Sequence, residues 1–160
     1  MDEIKEKKNN RIYIIAFVIT AIVIVVLLKT VLFTERVDGI SMYPTLSDKE
    51  FMLGVSPKIR PVKRGDIVVI KANDGIVKRV IGLPGDVVKL EKESTYVNGE
   101  KLDEPYLNHE EPIEYWDMEV KVGDGEVFVM GDNRNNSFDS RQDGCYNLKD
   151  VKCVVILHTR

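Results

Sequence analysis

Residues 12–28 are seventeen consecutive positions without a charge, interrupted only by Thr20. Lys29 and Thr30 follow, and Val31-Leu32-Phe33 continue the apolar run. At about 1.5 Å of rise per residue, a helix over 12–33 matches a hydrocarbon layer of roughly 30 Å, with the stem of Lys29 reaching toward the far interface. A helix with no polar face over about five turns needs an apolar environment on every side. The remainder of the chain is too small to supply one by burial. The run also lacks the small-residue ending of a cleaved export signal, because it closes on Val31-Leu32-Phe33-Thr34-Glu35. The reading is therefore an uncleaved transmembrane anchor at 12–33, a tail at 1–11 and a single domain at 34–160.

Charge sets the orientation. Lys5, Lys7, Lys8 and Arg11 crowd the N-terminal flank, diluted by Asp2, Glu3 and Glu6, whereas Lys29 and Arg36 stand beyond the run with Glu35. The positive-inside rule places the tail in the cytoplasm and the domain outside, in a single-pass cell-membrane protein. Of the 23 Lys/Arg and 26 Asp/Glu, five and three precede Thr34, which leaves the domain a formal net charge of −5. That balance argues against nucleic acid as a partner, and against docking on anionic lipid by overall charge alone.

After the anchor the pattern changes to short β-branched runs bounded by turn residues. Strands are expected at 67–70, 76–81, 87–90, 95–97, 126–130 and 153–158. The stretch 102–117, rich in Glu and Pro, reads as a long exposed loop. The domain is thus mostly β, an irregular and barrel-like sheet preceded by one N-terminal transmembrane α-helix. Cys145 and Cys153 leave two readings open, a disulfide on an oxidising face or, for Cys153 at the head of an apolar run, a core thiol.

The chemistry-bearing residues narrow by elimination. The two histidines, His109 and His158, sit in no motif, so a Ser-His-Asp triad or a metal site has little to build on. No metal and no cofactor are expected. Lysine remains as a base. A free lysine is almost wholly protonated at neutral pH, so a catalytic one must be desolvated. Lys78 is flanked at period 2 by Ile76 and Val80, which is one face of an expected strand. Period alone leaves open whether that face, or the face of Val77 and Arg79, points inward.

Four sequence segments carry a resemblance. Ser41-Met42-Tyr43-Pro44-Thr45-Leu46 follows the anchor. Arg64-Gly65-Asp66-Ile67-Val68-Val69 comes next, then Lys78-Arg79-Val80-Ile81-Gly82-Leu83-Pro84-Gly85-Asp86. Last is Gly131-Asp132-Asn133-Arg134-Asn135-Asn136-Ser137-Phe138-Asp139-Ser140-Arg141. In this order behind an N-terminal anchor, they closely resemble the boxes of bacterial type I signal peptidases, in the compact form without a large second domain.

The resemblance implies a membrane-bound serine endopeptidase that removes N-terminal signal peptides from exported preproteins through a Ser/Lys dyad and an acyl-enzyme. It implies that Ser41 is the nucleophile, Lys78 the general base and Ser137 the residue that orients the lysine. It makes Asp132, Asp139 and Arg141 a structural ion-pair network. It assigns Val37, Gly39, Met42, Leu46, Ile76 and Val77 to the small substrate pockets. The implied partners are signal peptides of preproteins and the lipid bilayer. Some relatives add a serine hydroxyl to the oxyanion hole two positions before the nucleophile. Gly39 stands there, leaving either room for substrate or a second N–H donor. The run after Arg141, Gln142-Asp143-Gly144, lacks the aromatic common in the family. A different class, a non-catalytic membrane-tethered accessory of pilus or surface-protein assembly, would be marked by loss of the serine or the lysine, and both are present. A self-cleaving regulator would need an Ala-Gly cut site ahead of the serine, and none occurs.

Overall fold

The computed structural model describes residues 2–72, 75–108, 112, 113 and 115–159, and within the first helix the side chains of residues 13–26, 29 and 31. Helix α1 covers Asp2–Val31. Among the described residues no helix is long and apolar enough to cross a membrane. Lys5, Lys7, Lys8 and Arg11, on which the expected orientation rests, lie outside the described side chains, and His109 lies outside the described residues. The helix stops two residues before the expected end of the apolar run. Leu32 and Phe33 pair with Val55 and Gly54, and Ser56 N–H donates to the carbonyl of Val31 at 2.9 Å, so strand pairing takes over.

The strands are β1 (Leu32–Arg36), β2 (Phe51–Val55), β3 (Ile67–Ile70), β4 (Ile76–Gly82), β5 (Val87–Glu91), β6 (Ser94–Val97), β7 (Glu100–Lys101), β8 (Met118–Lys121), β9 (Glu126–Met130), β10 (Tyr146–Asn147) and β11 (Val151–His158), with a short helix α2 at Ser140–Asp143. Seven form one sheet in the order β1-β2-β11-β3-β4-β9-β10, and four form a second in the order β7-β6-β5-β8. The fold is mostly β, as expected. The six expected strands are present, and β1, β2, β7, β8 and β10 are added. β2 was hidden by Gly54, which weakens a strand pattern. A Cβ at Gly54 would overlap Cys153 Sγ, so the glycine is what lets β11 pack this closely.

Alternation on the strands feeds three cores. Val68, Ile70, Val80, Val127, Val129, Val151 and Val154 fill one face of the large sheet. Ile81, Phe128 and Met130 point the other way and meet Val88, Leu90 and Val97 of the second sheet and Val122 just after β8. β9 is thus shared, with odd positions to one core and even positions to the other. The third core joins Val69 and Cys153 of the sheet to Val37, Met42 and Leu46 of the segment after β1. Cys153 and Cys145 are both free thiols, which selects the core reading for Cys153.

The segment 102–117 differs from expectation. Among its described residues Leu107 is buried and Glu104 is folded onto Arg134, while Asp103, Pro105, Pro112, Trp116 and Asp117 are exposed, so the loop is tied to the domain at its first half.

The two sheets pack tightly at Gly82, where a Cβ would lie 2.6 Å from Val88 Cγ2 and 2.9 Å from Val122 Cγ2. Gly82→Ala is expected to destabilise the protein by about 1–3 kcal/mol through overpacking. Thermal or denaturant unfolding of the full chain checks this, and an unchanged midpoint would contradict the packing described.

Candidate active site

β4 carries two cations side by side, Lys78 and Arg79. The pleat sends their side chains to opposite faces. Each takes hold of the segment 41–45 from its own side. Lys78 Nζ lies 2.8 Å from Ser41 Oγ and donates to the carbonyl of Val77 at 3.1 Å. Arg79 binds Asp132 with two parallel bonds, Nε to Oδ1 at 2.8 Å and Nη2 to Oδ2 at 2.6 Å, and Asp132 Oδ2 accepts the hydroxyl of Thr45 at 2.5 Å. Arg79 also donates to the carbonyl of Gly65 at 2.8 Å, drawing in the turn before β3.

Packing fixes the hydroxyl in place. Val37, Met42 and Leu46 are at most 2% exposed and press onto the sheet. Burying each such side chain contributes about 1.5–3 kcal/mol. Asn133 clamps the same segment through its backbone. Its N–H donates to the carbonyl of Ser41 at 3.0 Å and its amide to the carbonyl of Ile40 at 3.1 Å. Gly131 allows this approach, because a Cβ there would overlap the Ser41 carbonyl and Ser137 Oγ. One step beyond the Arg79–Met130 pairing, the register sets Gly131 opposite Lys78.

Lys78 is 4% exposed. Burial pushes its pKa below the ordinary lysine value of about 10.5. Asp139 and Asp132 pull it back up, and Arg141 pushes it down, with burial the largest cause and the winner. Each carboxylate is also claimed by a guanidinium, and Arg141, paired with Asp139, opposes that pull on the amine. Asp139 receives Arg141 Nε at 2.8 Å and Nη2 at 2.9 Å, as well as Gly131 N–H at 2.9 Å and the Ser137 hydroxyl at 2.7 Å. Burial raises the Asp139 carboxyl, and the Arg141 pair with these hydrogen bonds outweighs it, so the net shift is downward.

The expected ion-pair network is really two. Asp139 pairs with Arg141, while Asp132 pairs with Arg79, which the sequence reading left out. Ser137 is beside the dyad, but its hydroxyl donates to Asp139, and the described contacts of Lys78 are to Ser41 and Val77. Asp139 also caps α2, where Gln142 accepts from Asp139 N–H at 3.0 Å. Gln142, in the run after Arg141, is thus part of a capping box.

Gly39 adopts φ +88°, a conformation that favours glycine, and its N–H donates to Asp48 at 2.8 Å. That N–H is committed and is not a second oxyanion donor, and the space a Cβ would occupy is open. Of the other expected pocket residues, Val77 packs with the core that holds Met42, and Ile76 with the opposite core. His158 is distant in role, with Nδ1 2.8 Å from Glu50.

Sequence reasoning also passed over Glu104 and Tyr106. Tyr106 stacks 3.9 Å from the Arg79 guanidinium, and its hydroxyl donates to Glu104 at 2.9 Å. Glu104 pairs with Arg134, which is 3% exposed and donates to the carbonyl of Gly131 at 3.1 Å. The connection from β7 to β8 thereby fastens both β4 and the turn after β9. The signal was the run Glu104-Pro105-Tyr106-Leu107, a buried-type pair of side chains inside a polar stretch.

The family model described as signal peptidase, peptidase S26, matches residues 11–158. The chain belongs to that family. It is 40% identical to signal peptidase I S of Bacillus subtilis (strain 168), over 94% of this chain and 89% of the relative. It is also 40% identical to signal peptidase I of Bacillus amyloliquefaciens, over 92% and 88%. The crystal structure of a signal peptidase I from Enterococcus faecalis V583 superposes with a TM-score of 0.54 at 29% identity, covering 61% of this chain and 98% of that one.

Removing the ring over Arg79 should expose the Arg79–Asp132 pair to water. Tyr106→Ala is expected to lower stability and peptide cleavage together, by about 1–2 kcal/mol, while Tyr106→Phe keeps the ring and most of both. Parallel unfolding and cleavage measurements check this. Equal losses in the two variants would assign the effect to the hydroxyl instead.

Proposed function

We propose that Ser41 is the nucleophile and Lys78 the general base of a serine endopeptidase that removes signal peptides from exported preproteins. The observation that carries the assignment is a buried amine 2.8 Å from a hydroxyl. Membership of the signal peptidase family supports the substrate class, and the retained serine and lysine disfavour the non-catalytic alternative.

In the proposed reaction, uncharged Lys78 accepts the Ser41 proton as the oxygen attacks the scissile carbonyl. Ser41 N–H, which no described group accepts, is positioned to help hold the oxyanion. Lys78 then gives the proton to the leaving amine and draws one from the water that cleaves the acyl-enzyme. Ser137 acts on the lysine through Asp139 by holding that carboxylate's lone pairs. Asp132, Asp139, Arg79 and Arg141 are structural.

Val37, Met42 and Leu46 are buried beneath the substrate-facing surface and would shape it from below rather than touch substrate, with Val77 on their side of β4, Ile76 turned to the opposite core, and Gly39 leaving space for the substrate backbone. An extended substrate adds a strand beside this surface.

We also read 12–33 as a transmembrane anchor, with 1–11 cytoplasmic and 34–160 outside. The described apolar side chains of α1 support it, because Tyr13, Phe17, Ile22 and Val26 are all more than half exposed. Such a surface calls for lipid rather than water. A shared bilayer would raise the effective concentration of enzyme and substrate.

Ser41→Ala and Lys78→Met are each expected to lower cleavage of a preprotein by about 10³-fold or more. Near-normal cleavage by Lys78→Met would rule out the dyad.

The rate should rise with pH through an apparent pKa below the ordinary lysine value, because the active amine is the deprotonated form. Stability follows the same sign. Below the lowered pKa the folded state must bury an ammonium. As pH climbs toward the unfolded value of about 10.5, the unfolded chain holds more protons and the penalty is relieved. Arg141→Gln leaves Asp139 unpaired beside the amine and is expected to move the pH–rate profile in the alkaline direction. A profile flat from about pH 6 to about pH 10 would contradict the mechanism.

A further inference from the structure

The domain carries a formal net charge of −5, yet one cavity on it is basic. The cavity has a volume of about 370 Å³, and its lining includes Lys58, Lys71, Lys149 and Lys152. Ser56 and the ring of Phe33 complete the part that matters here. Lys152 is neutralised by Glu35, 2.7 Å away. Lys58, Lys71 and Lys149 make no ion pair among the described residues. Asp150, the acid next to Lys149, is not among the lining residues.

The position of this cavity gives it meaning. The start of β1, the end of β2, the end of β3 and the start of β11 all lie at one end of the large sheet. Ser56 N–H binds the last carbonyl of α1, at Val31, and Phe33 is two residues past that helix. The lysines therefore gather where the helix meets the domain. Ile59, the next residue after Lys58 in the chain, is 59% exposed.

A domain that is acidic overall is repelled by an anionic leaflet. Basic residues gathered at the helix junction reverse that locally, within a Debye length of roughly 10 Å. A phosphodiester needs ammonium donors around it and an apolar surface where its acyl chains leave, and Phe33 in the lining supplies that surface.

We propose that this cavity binds the phosphate of an anionic glycerophospholipid, seating the domain on the outer face of the bilayer. The inference rests on reading 12–33 as a membrane anchor. A free phosphate offers the same charge, so the test must separate the two sources.

The full chain in detergent is incubated with equimolar phosphatidylglycerol and phosphatidylcholine, and bound lipid is counted by native mass spectrometry. The wild type is expected to retain phosphatidylglycerol roughly fivefold over phosphatidylcholine. The triple variant K58Q/K71Q/K149Q should retain the two equally. The charge-matched triple K92Q/K101Q/K121Q, on the second sheet and its loops, should keep the preference. Both triples should cleave a soluble peptide normally, which shows that they fold.

Loss of preference in both triples assigns the effect to net charge and overturns the site. Its survival in K58Q/K71Q/K149Q does the same. If inorganic phosphate displaces the lipid and is itself retained, the site takes free phosphate and the lipid assignment falls. Alkaline carbonate extraction of membranes holding the full chain separates the underlying reading. Release of the chain overturns anchor and site together, whereas retention without phosphatidylglycerol preference overturns the site alone.

Discussion

An ammonium is costly to bury, and this domain buries the one at Lys78 beside a hydroxyl. The rest of the site can be understood as what keeps that amine uncharged and within reach. Desolvation favours the neutral form, but two carboxylates nearby would restore the proton if left unopposed. Arg141 and Arg79 each occupy one of them with two parallel bonds. The ion pairs are therefore not decoration around a dyad. They oppose the pull of the base's own acidic neighbours, whose oxygens already accept from guanidinium, hydroxyl and backbone donors.

The same side chains define distance. Lys78 and Arg79 are consecutive, so the strand pleat fixes their opposite directions, and the segment 41–45 is gripped through Ser41 on one side and Thr45 on the other. Asn133 and the missing side chain at Gly131 bring the turn after β9 against the same backbone. β9 itself is held by two cores at once, through Val127 and Val129 on one face and Phe128 and Met130 on the other. A strand fixed on both faces gives its following turn little freedom, which suits a turn that must register with a nucleophile segment about ninety residues earlier in the chain.

The second sheet contributes through contact rather than chemistry. Its core shares Ile81, Phe128 and Met130 with the large sheet. The connection through Glu104, Tyr106 and Tyr115 reaches back to Arg79 and Arg134. In a chain of this size, a small second sheet that braces the first supplies rigidity that one open sheet lacks.

The sequence by itself determined the class of fold, because β-branched runs between turn residues leave few alternatives to a mostly-β domain. Its four boxes also singled out Ser41 and Lys78 as partners. The period around Lys78 could not say which face was inner, since alternation is symmetric until a core is chosen. Only the tertiary structure decided that. It also decided that Met42 and Leu46 are fully buried, that Asp132 belongs to Arg79 rather than to Arg141, and that the Glu- and Pro-rich stretch is a brace. The physical reason is the same in each case. A pairing between charged side chains distant in the chain leaves no local periodicity, and whether a polar stretch is exposed depends on partners that only folding brings to it.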